Sequence, residues 1–399
     1  MESTLTVSGK RKRRSYNKSR FGCRNCKLRR VKCDEAKPQC QRCKDYGVLC
    51  NFAAGASDLQ ISVARLQCRR SERVNQLAFD SALPPPISLP IVCSDGIASF
   101  EMHAQCIARL ERFRMRTLDS FSTEMMKLWQ HRIPYIAFRN PYLMHTMLAV
   151  SAAHERYQDI PTTTYRTRAE THHAFQSVLL FNQKLSQPID MPDRDPLWAT
   201  AALLGIMAIA SFDATTPEEA WPLRPSNPSD LEWFRLSDGK WTIWNLTNPL
   251  RPGSIFRAMA HEYAQFHFEL PPAGAESIPP ALAEVCNVST SSNEENNPYF
   301  VAAHVLARLQ RLSDSDSADI RMVIFMCQSQ QSFQNLLREK DPVALLLLSL
   351  WYVRAGKVLW WIEQRSRVEN QAIRLYLERF HRDKVKIHQL LPELPDLVT

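Results

Sequence analysis

Six cysteines at positions 23, 26, 33, 40, 43 and 50 constrain this chain more than any other feature. They write C-x2-C-x6-C twice, the second copy 17 residues after the first. The loops between them are polar and too small to close a core by burial alone. Thiolates at this spacing hold a borderline cation, zinc above all, and the metal then supplies most of the folding free energy. A disulfide framework belongs to exported chains, and no export signal is read here. Six sulfurs fall two short of two separate tetrahedral sites, so the closed solution is two zinc ions sharing two thiolates. The repeat singles out the first cysteine of each half, Cys23 and Cys40, as the shared pair.

The two halves differ in charge. Between Cys26 and Cys33 stand Lys27, Arg29, Arg30 and Lys32, whereas the residues from Lys44 to Leu49 carry no net charge. Only the first half suits a phosphate backbone. If the segment is helical, Cys26 and Cys33 return to one face and the basic side chains point outward. The run from Cys23 to Cys50, with Pro38 two residues before Cys40, resembles the fungal zinc binuclear cluster. That resemblance implies a short helix in the DNA major groove and Cys23 and Cys40 as bridging ligands. It also implies that Arg29 and Arg30 stand where the family reads a CGG-like triplet, an arginine fork matching the O6 and N7 acceptors of guanine. Lys18, Arg20, Arg24, Lys27 and Lys32 complete the expected double-stranded DNA contacts.

The formal charge of +9 is concentrated. Residues 1 to 50 hold 15 Lys and Arg against 4 acids, a net +11, which leaves −2 for the remainder. Local cation density of this kind is a footprint for nucleic acid. The run Lys10 to Arg14 reads as a nuclear localisation signal or a phosphate-contacting arm. No apolar stretch is long enough for a membrane span; 197 to 212 and 342 to 353 read as buried helices. Cys68, Cys93, Cys106, Cys286 and Cys327 lack ligand spacing and read as reduced structural thiols. Asn245 and Asn287 open sequons that read as chance matches.

These features divide the chain into a basic arm (1–20), a zinc-organised DNA-binding domain (21–52), a linker (53–98) and a helical regulatory domain (99–399). In the linker Leu59, Val63 and Leu66 begin a heptad stripe that Arg70 and Arg73 interrupt, a poor coiled coil that leaves a homodimer to be built there or elsewhere. Beyond Ser99 the periodicity is helical, and almost nothing alternates with period two, so the fold class is all-α. Helices are expected at 100–117, 124–131, 142–157, 165–186, 196–212, 229–247, 254–268, 297–312, 317–338, 341–363 and 367–388. Loops are expected at 216–229 and 270–297, the second long enough for disorder. The runs 127–158 and 332–365 resemble the opening and closing parts of the regulatory domain found behind such clusters, particularly in the sterol-uptake-regulator type.

No enzyme site is legible. HEYAQFH from His261 lacks the i, i+4 histidine pair of a zinc protease, and ten glycines form no phosphate-cradling loop. His172 and His173 are adjacent and are not expected to converge on one metal. The tryptophans of the helices at 196–212, 229–247 and 341–363 are expected in the core, or else lining a pocket for a small apolar effector. The sequence therefore describes a nuclear, sequence-specific transcription regulator with two zinc ions per chain, no membrane segment and no catalysis. The alternative is a zinc-stabilised nucleic-acid or chromatin module without base readout.

Overall fold

The computed structural model describes residues 20–46, 48–53, 91–118, 123–158, 165–265, 269–312, 320–328 and 330–392. The Lys10–Arg14 run, Lys18, Cys68 and the interrupted heptad stripe lie outside them. The chain divides into two units between Ile87 and Ser88.

In the first unit two short helices, α1 (Arg24–Leu28) and α2 (Gln41–Tyr46), flank the buried cysteines. The second unit opens with an antiparallel hairpin, β1 (Ile91–Ser94) and β2 (Ser99–Met102), in which Cys93 pairs with Phe100. Its turn is local chemistry. Asp95 Oδ1 accepts from the Ile97 and Ala98 amides at 2.9 and 2.7 Å, and Gly96 adopts φ 87°, which favours glycine. The hairpin occupies part of the expected linker, and its second strand takes the start of the helix expected at 100–117.

Helices then follow almost without interruption. They are α3 (Ala104–Arg112, continuing in wider turns to Thr117), α4 (Thr123–Lys127, likewise continuing to Arg132), α5 (Ile133–Ala137), α6 (Pro141–Gln158), α7 (Arg168–Leu185) and α8 (Arg194–Ala210). Next come α9 (Glu232–Thr247), α10 (Ala260–Gln265), α11 (Pro280–Val285), α12 (Phe300–Gln310), α13 (Ile324–Cys327) and α14 (Gln331–Arg338). The series ends with α15 (Pro342–Val358), α16 (Trp360–Phe380) and α17 (Val385–Leu390). None of the described helices is long and apolar enough to cross a membrane.

Two helices organise this body. α6 is buried along nearly its whole length and packs against α3, α5, α7, α8 and α16. α15, started by Asp341 accepting from the Val343 and Ala344 amides, packs against α12, α14, α16 and α17. Each fully buried Leu on such a helix stabilises by roughly 1.5–3 kcal/mol.

Three further expectations about the helices and loops need correction. The 270–297 stretch is folded: α11 lies within it, and Ile278, Leu282, Cys286 and Val288 enter the core. The helix expected at 341–363 ends at Val358, because Leu359 is extended (φ −119°, ψ 102°) and α16 doubles back at once. Gly356 permits that approach, since a Cβ there would lie 2.1 Å from Ser366 Oγ. The helix expected at 317–338 is instead a 3-10 turn (Ile320–Val323), α13 and α14.

The tryptophans pack against one another and against Phe, Tyr and His rings. Trp351 is fully buried, stacks on Trp233 at 5.8 Å and donates Nε1 to Met322 O at 2.8 Å. Trp198 donates to Tyr263 OH at 2.9 Å. A cleft of about 700 Å³ lies between the end of α8, the 213–221 segment, the start of α9 and α16. Its walls include Arg166, Asp213, Arg224, Asp230, Arg365 and Glu369, and α15 contributes none of them. This differs from the apolar pocket expected among α8, α9 and α15.

Candidate metal centre and nucleic-acid interface

The internal repeat of the sequence is also a repeat of the backbone. Lys27 N donates to Cys23 O at 3.1 Å and Val31 N to Cys26 O at 3.0 Å; seventeen residues on, Lys44 N donates to Cys40 O at 3.1 Å and Val48 N to Cys43 O at 3.0 Å. Each half caps the other. Asp34 accepts from the amides of Gln41 (3.0 Å) and Arg42 (3.5 Å) at the start of α2, and Asn51 Oδ1 accepts from Asn25 N (2.8 Å) in α1. The Gln41 amide holds the Asp34 carboxyl below the usual carboxylate range. Asn25, fully buried, also donates Nδ2 to Leu49 O at 2.7 Å.

All six cysteines are buried within this frame. Cys23 Sγ lies 3.7 Å from Cys40 Sγ and 3.5 Å from Cys43 Sγ, while Cys26 Sγ lies 3.6 Å from Cys40 Sγ. Tetrahedral zinc with Zn–S near 2.3 Å sets its sulfurs about 3.8 Å apart, so this packing fits the metal. The first cysteine of each half thus touches sulfurs of the other half, the crosswise contact that bridging requires. Amides of Cys26 and Cys43 point at the Cys23 and Cys40 sulfurs, each at 3.4 Å, and those of Cys23 and Glu35 at Cys33, also at 3.4 Å. Such donors stabilise thiolate charge.

Zinc binds the thiolate and not the thiol, so protons and zinc compete for the same sulfurs. Acidification is therefore expected to expel zinc and unfold this unit, and the loss should reverse as pH rises. A zinc-chelating dye followed across an acid titration checks this; release independent of pH would contradict thiolate ligation.

The basic residues do not sit as a continuous helix would place them. α1 ends at Leu28, and the chain reverses at Arg30, held at φ 56°. That reversal, rather than helical periodicity, returns Cys33 to the metal. Arg24, Lys27, Arg30 and Lys32 are exposed, as is Arg20. Arg29 turns inward: Nη2 donates to Arg42 O at 3.0 Å and lies 3.7 Å from Cys26 Sγ. The reading of the sequence missed Asn25, Asp34 and Asn51. Asp34 and Asn51 are 17 apart like the cysteines, a signal that extending the repeat would have caught.

A paired-cysteine core with a basic helix, ahead of a helical body, defines the class of zinc-cluster DNA-binding proteins. Residues 21–58 match the fungal Zn(2)-Cys(6) binuclear cluster domain, and the chain carries that domain with two zinc ions as its cofactors. It is similar to a Zn(2)-C6 fungal-type transcription factor of Gibberella zeae, 24% identical over 407 aligned positions covering 90% of this chain and 82% of that protein. The Aspergillus fumigatus Zn(2)-C6 fungal-type transcription factor afumD is 30% identical over 149 residues, 36% of this chain and 34% of its own. Sterol uptake control protein 2 of Saccharomyces cerevisiae is 53% identical over 49 residues, 12% of this chain and 5% of that protein. That last likeness covers only 12% of this chain, whereas the likeness to the Gibberella zeae factor extends over the helical body as well.

Proposed function

We propose that this chain is a sequence-specific DNA-binding transcription regulator that reads a CGG-like triplet through Arg30. The observation that carries this is Arg30 itself, exposed on the sharp turn beside the buried sulfurs while its neighbour Arg29 is tied inward. A guanidinium so placed can present both donors to guanine O6 and N7. Lys27, Lys32, Arg20 and Arg24, with Lys18, meet phosphates in this reading. The protein acts in the nucleus, addressed by the Lys10–Arg14 run. The helical body supplies regulation rather than catalysis; a small effector enters at the α8/α9/α16 cleft, and two copies of the chain pair as a homodimer.

Arg30→Ala should cost about 1–3 kcal/mol on the preferred duplex and little on random DNA. Alanine keeps a Cβ at φ 56°, so the backbone strain is unchanged. Lys27→Ala should weaken both duplexes alike and flatten the log–log salt slope by about 0.9. Fluorescence anisotropy of the full chain on both duplexes over a salt series tests the pair; equal losses for Arg30→Ala on both would refute base readout. Competition by single-stranded RNA as effective as the CGG duplex would favour the module without base readout.

A further inference from the structure

The sequence does not lead one to expect adjacent His172 and His173 to converge on one metal, but the structure brings a third histidine ring to them. His145 from α6 and His172 and His173 from α7 each place one ring nitrogen within 4.8 Å of the other two. We propose that these three histidines form a second metal centre, for a divalent ion that prefers imidazole, zinc foremost, separate from the cysteine cluster.

His145 Nδ1 and His173 Nδ1 face each other at 2.8 Å, where two ring nitrogens must share one proton. Two imidazoles on tetrahedral zinc sit about 3.3 Å apart given Zn–N near 2.0–2.1 Å, so an ion takes the place of that proton when the two nitrogens part by about 0.5 Å and the rings tilt toward it. His172 is exposed, and one of its ring nitrogens lies within 4.8 Å of a nitrogen of each of the other two.

The surroundings hold these rings as metal ligands are held. Phe100, brought by the β1–β2 hairpin, stacks on His145 at 4.2 Å and 29°. His173 Nε2 lies 3.8 Å from Cys106 Sγ, the outer-shell contact that fixes which nitrogen binds. Cys106 touches the edge of His173 opposite His145, so it orients the ring and is not itself a ligand. A cavity of about 330 Å³, lined by Phe100, Glu101, His145, His172, His173 and Gln176, gives an ion and a fourth, exchangeable ligand their entry. Three histidines with an open position suit zinc, nickel or copper and not calcium or magnesium. Such an ion would clamp α6 to α7, two helices packed closely along their length.

The test uses the full chain with its cysteine cluster already zinc-loaded. Cobalt(II) is added at micromolar concentration, and parallel samples receive zinc for elemental counting. One further ion per chain is expected, giving cobalt ligand-field bands without thiolate charge-transfer absorption. His172→Ala, at an exposed position, should weaken uptake about 10- to 100-fold, the scale of disturbed metal shells. His145→Gln should do likewise while its tryptophan-reported unfolding remains a single cooperative transition, which shows the chain still folded, and exposed His261→Ala should change nothing. Absence of the further ion in the wild-type chain, or its retention at full affinity in both His172→Ala and His145→Gln, overturns the proposal.

Discussion

Cys40→Ala should remove both zinc ions and abolish DNA binding, while leaving the helical body folded. Cys40 Sγ is in contact with Cys23 and Cys26, and an ion on either side of the cluster draws on it. With the shared sulfur gone, neither ion keeps four thiolates. Structural zinc contributes about 10–16 kcal/mol at neutral pH, far more than this small polar unit recovers from burial. Cys50→Ala, which removes a sulfur that the repeat assigns to one ion, should lose a single zinc first. All nine tryptophans lie from Trp129 onward, so their fluorescence reports the second unit alone and should show an unchanged midpoint. Elemental analysis of the purified variants decides the matter. A Cys40→Ala chain holding one tightly bound zinc would mean that the sulfur is not shared.

The parts of this molecule that were legible in its sequence are those whose chemistry is local. Ligand spacing is set by the chain itself, so the six-cysteine cluster and the two-ion solution follow from counting. Helix positions along α6, α8 and α15 follow from runs of apolar residues without breakers. What escaped depends on neighbours distant in sequence. The break at Leu359 comes from the approach of Ser366 to Gly356, which no window of residues reveals. The 270–297 segment looks polar on average, yet Leu282 and Cys286 recur at a spacing of four and one face is buried. Arg29 and Arg30 look equivalent as neighbours; only the turn at Arg30 separates an inward guanidinium from an exposed one. The three histidines come together because α6 and α7 pack, and adjacency along one helix gives no hint of the third ring.

The largest single-residue effect expected in the helical body lies at Glu170. Its two carboxylate oxygens accept from Arg156 Nε and Nη2 at 3.0 and 3.1 Å, and both side chains are only 2% exposed. The sequence Thr167-Arg-Ala-Glu170 has the spacing of a capping box. Thr167 does accept the Glu170 amide at 3.1 Å, but the glutamate is claimed by the arginine instead of the helix end. Arg156 also donates to Ala210 O at the end of α8 (3.0 Å) and to Gln364 in α16 (3.2 Å), so one guanidinium joins α6, α7, α8 and α16. Glu170→Ala leaves that cation buried without its counter-charge and should destabilise by about 3–5 kcal/mol. An apolar replacement of both partners, Arg156→Met with Glu170→Leu, removes the orphan charge and should recover a large part of the loss, because a buried pair returns little beyond its own desolvation. Denaturant titration followed by tryptophan fluorescence measures the single and double variants on one scale. A Glu170→Ala loss below about 1 kcal/mol, the range of exposed ion pairs, would show that water reaches Arg156 and that the clamp is not buried in solution.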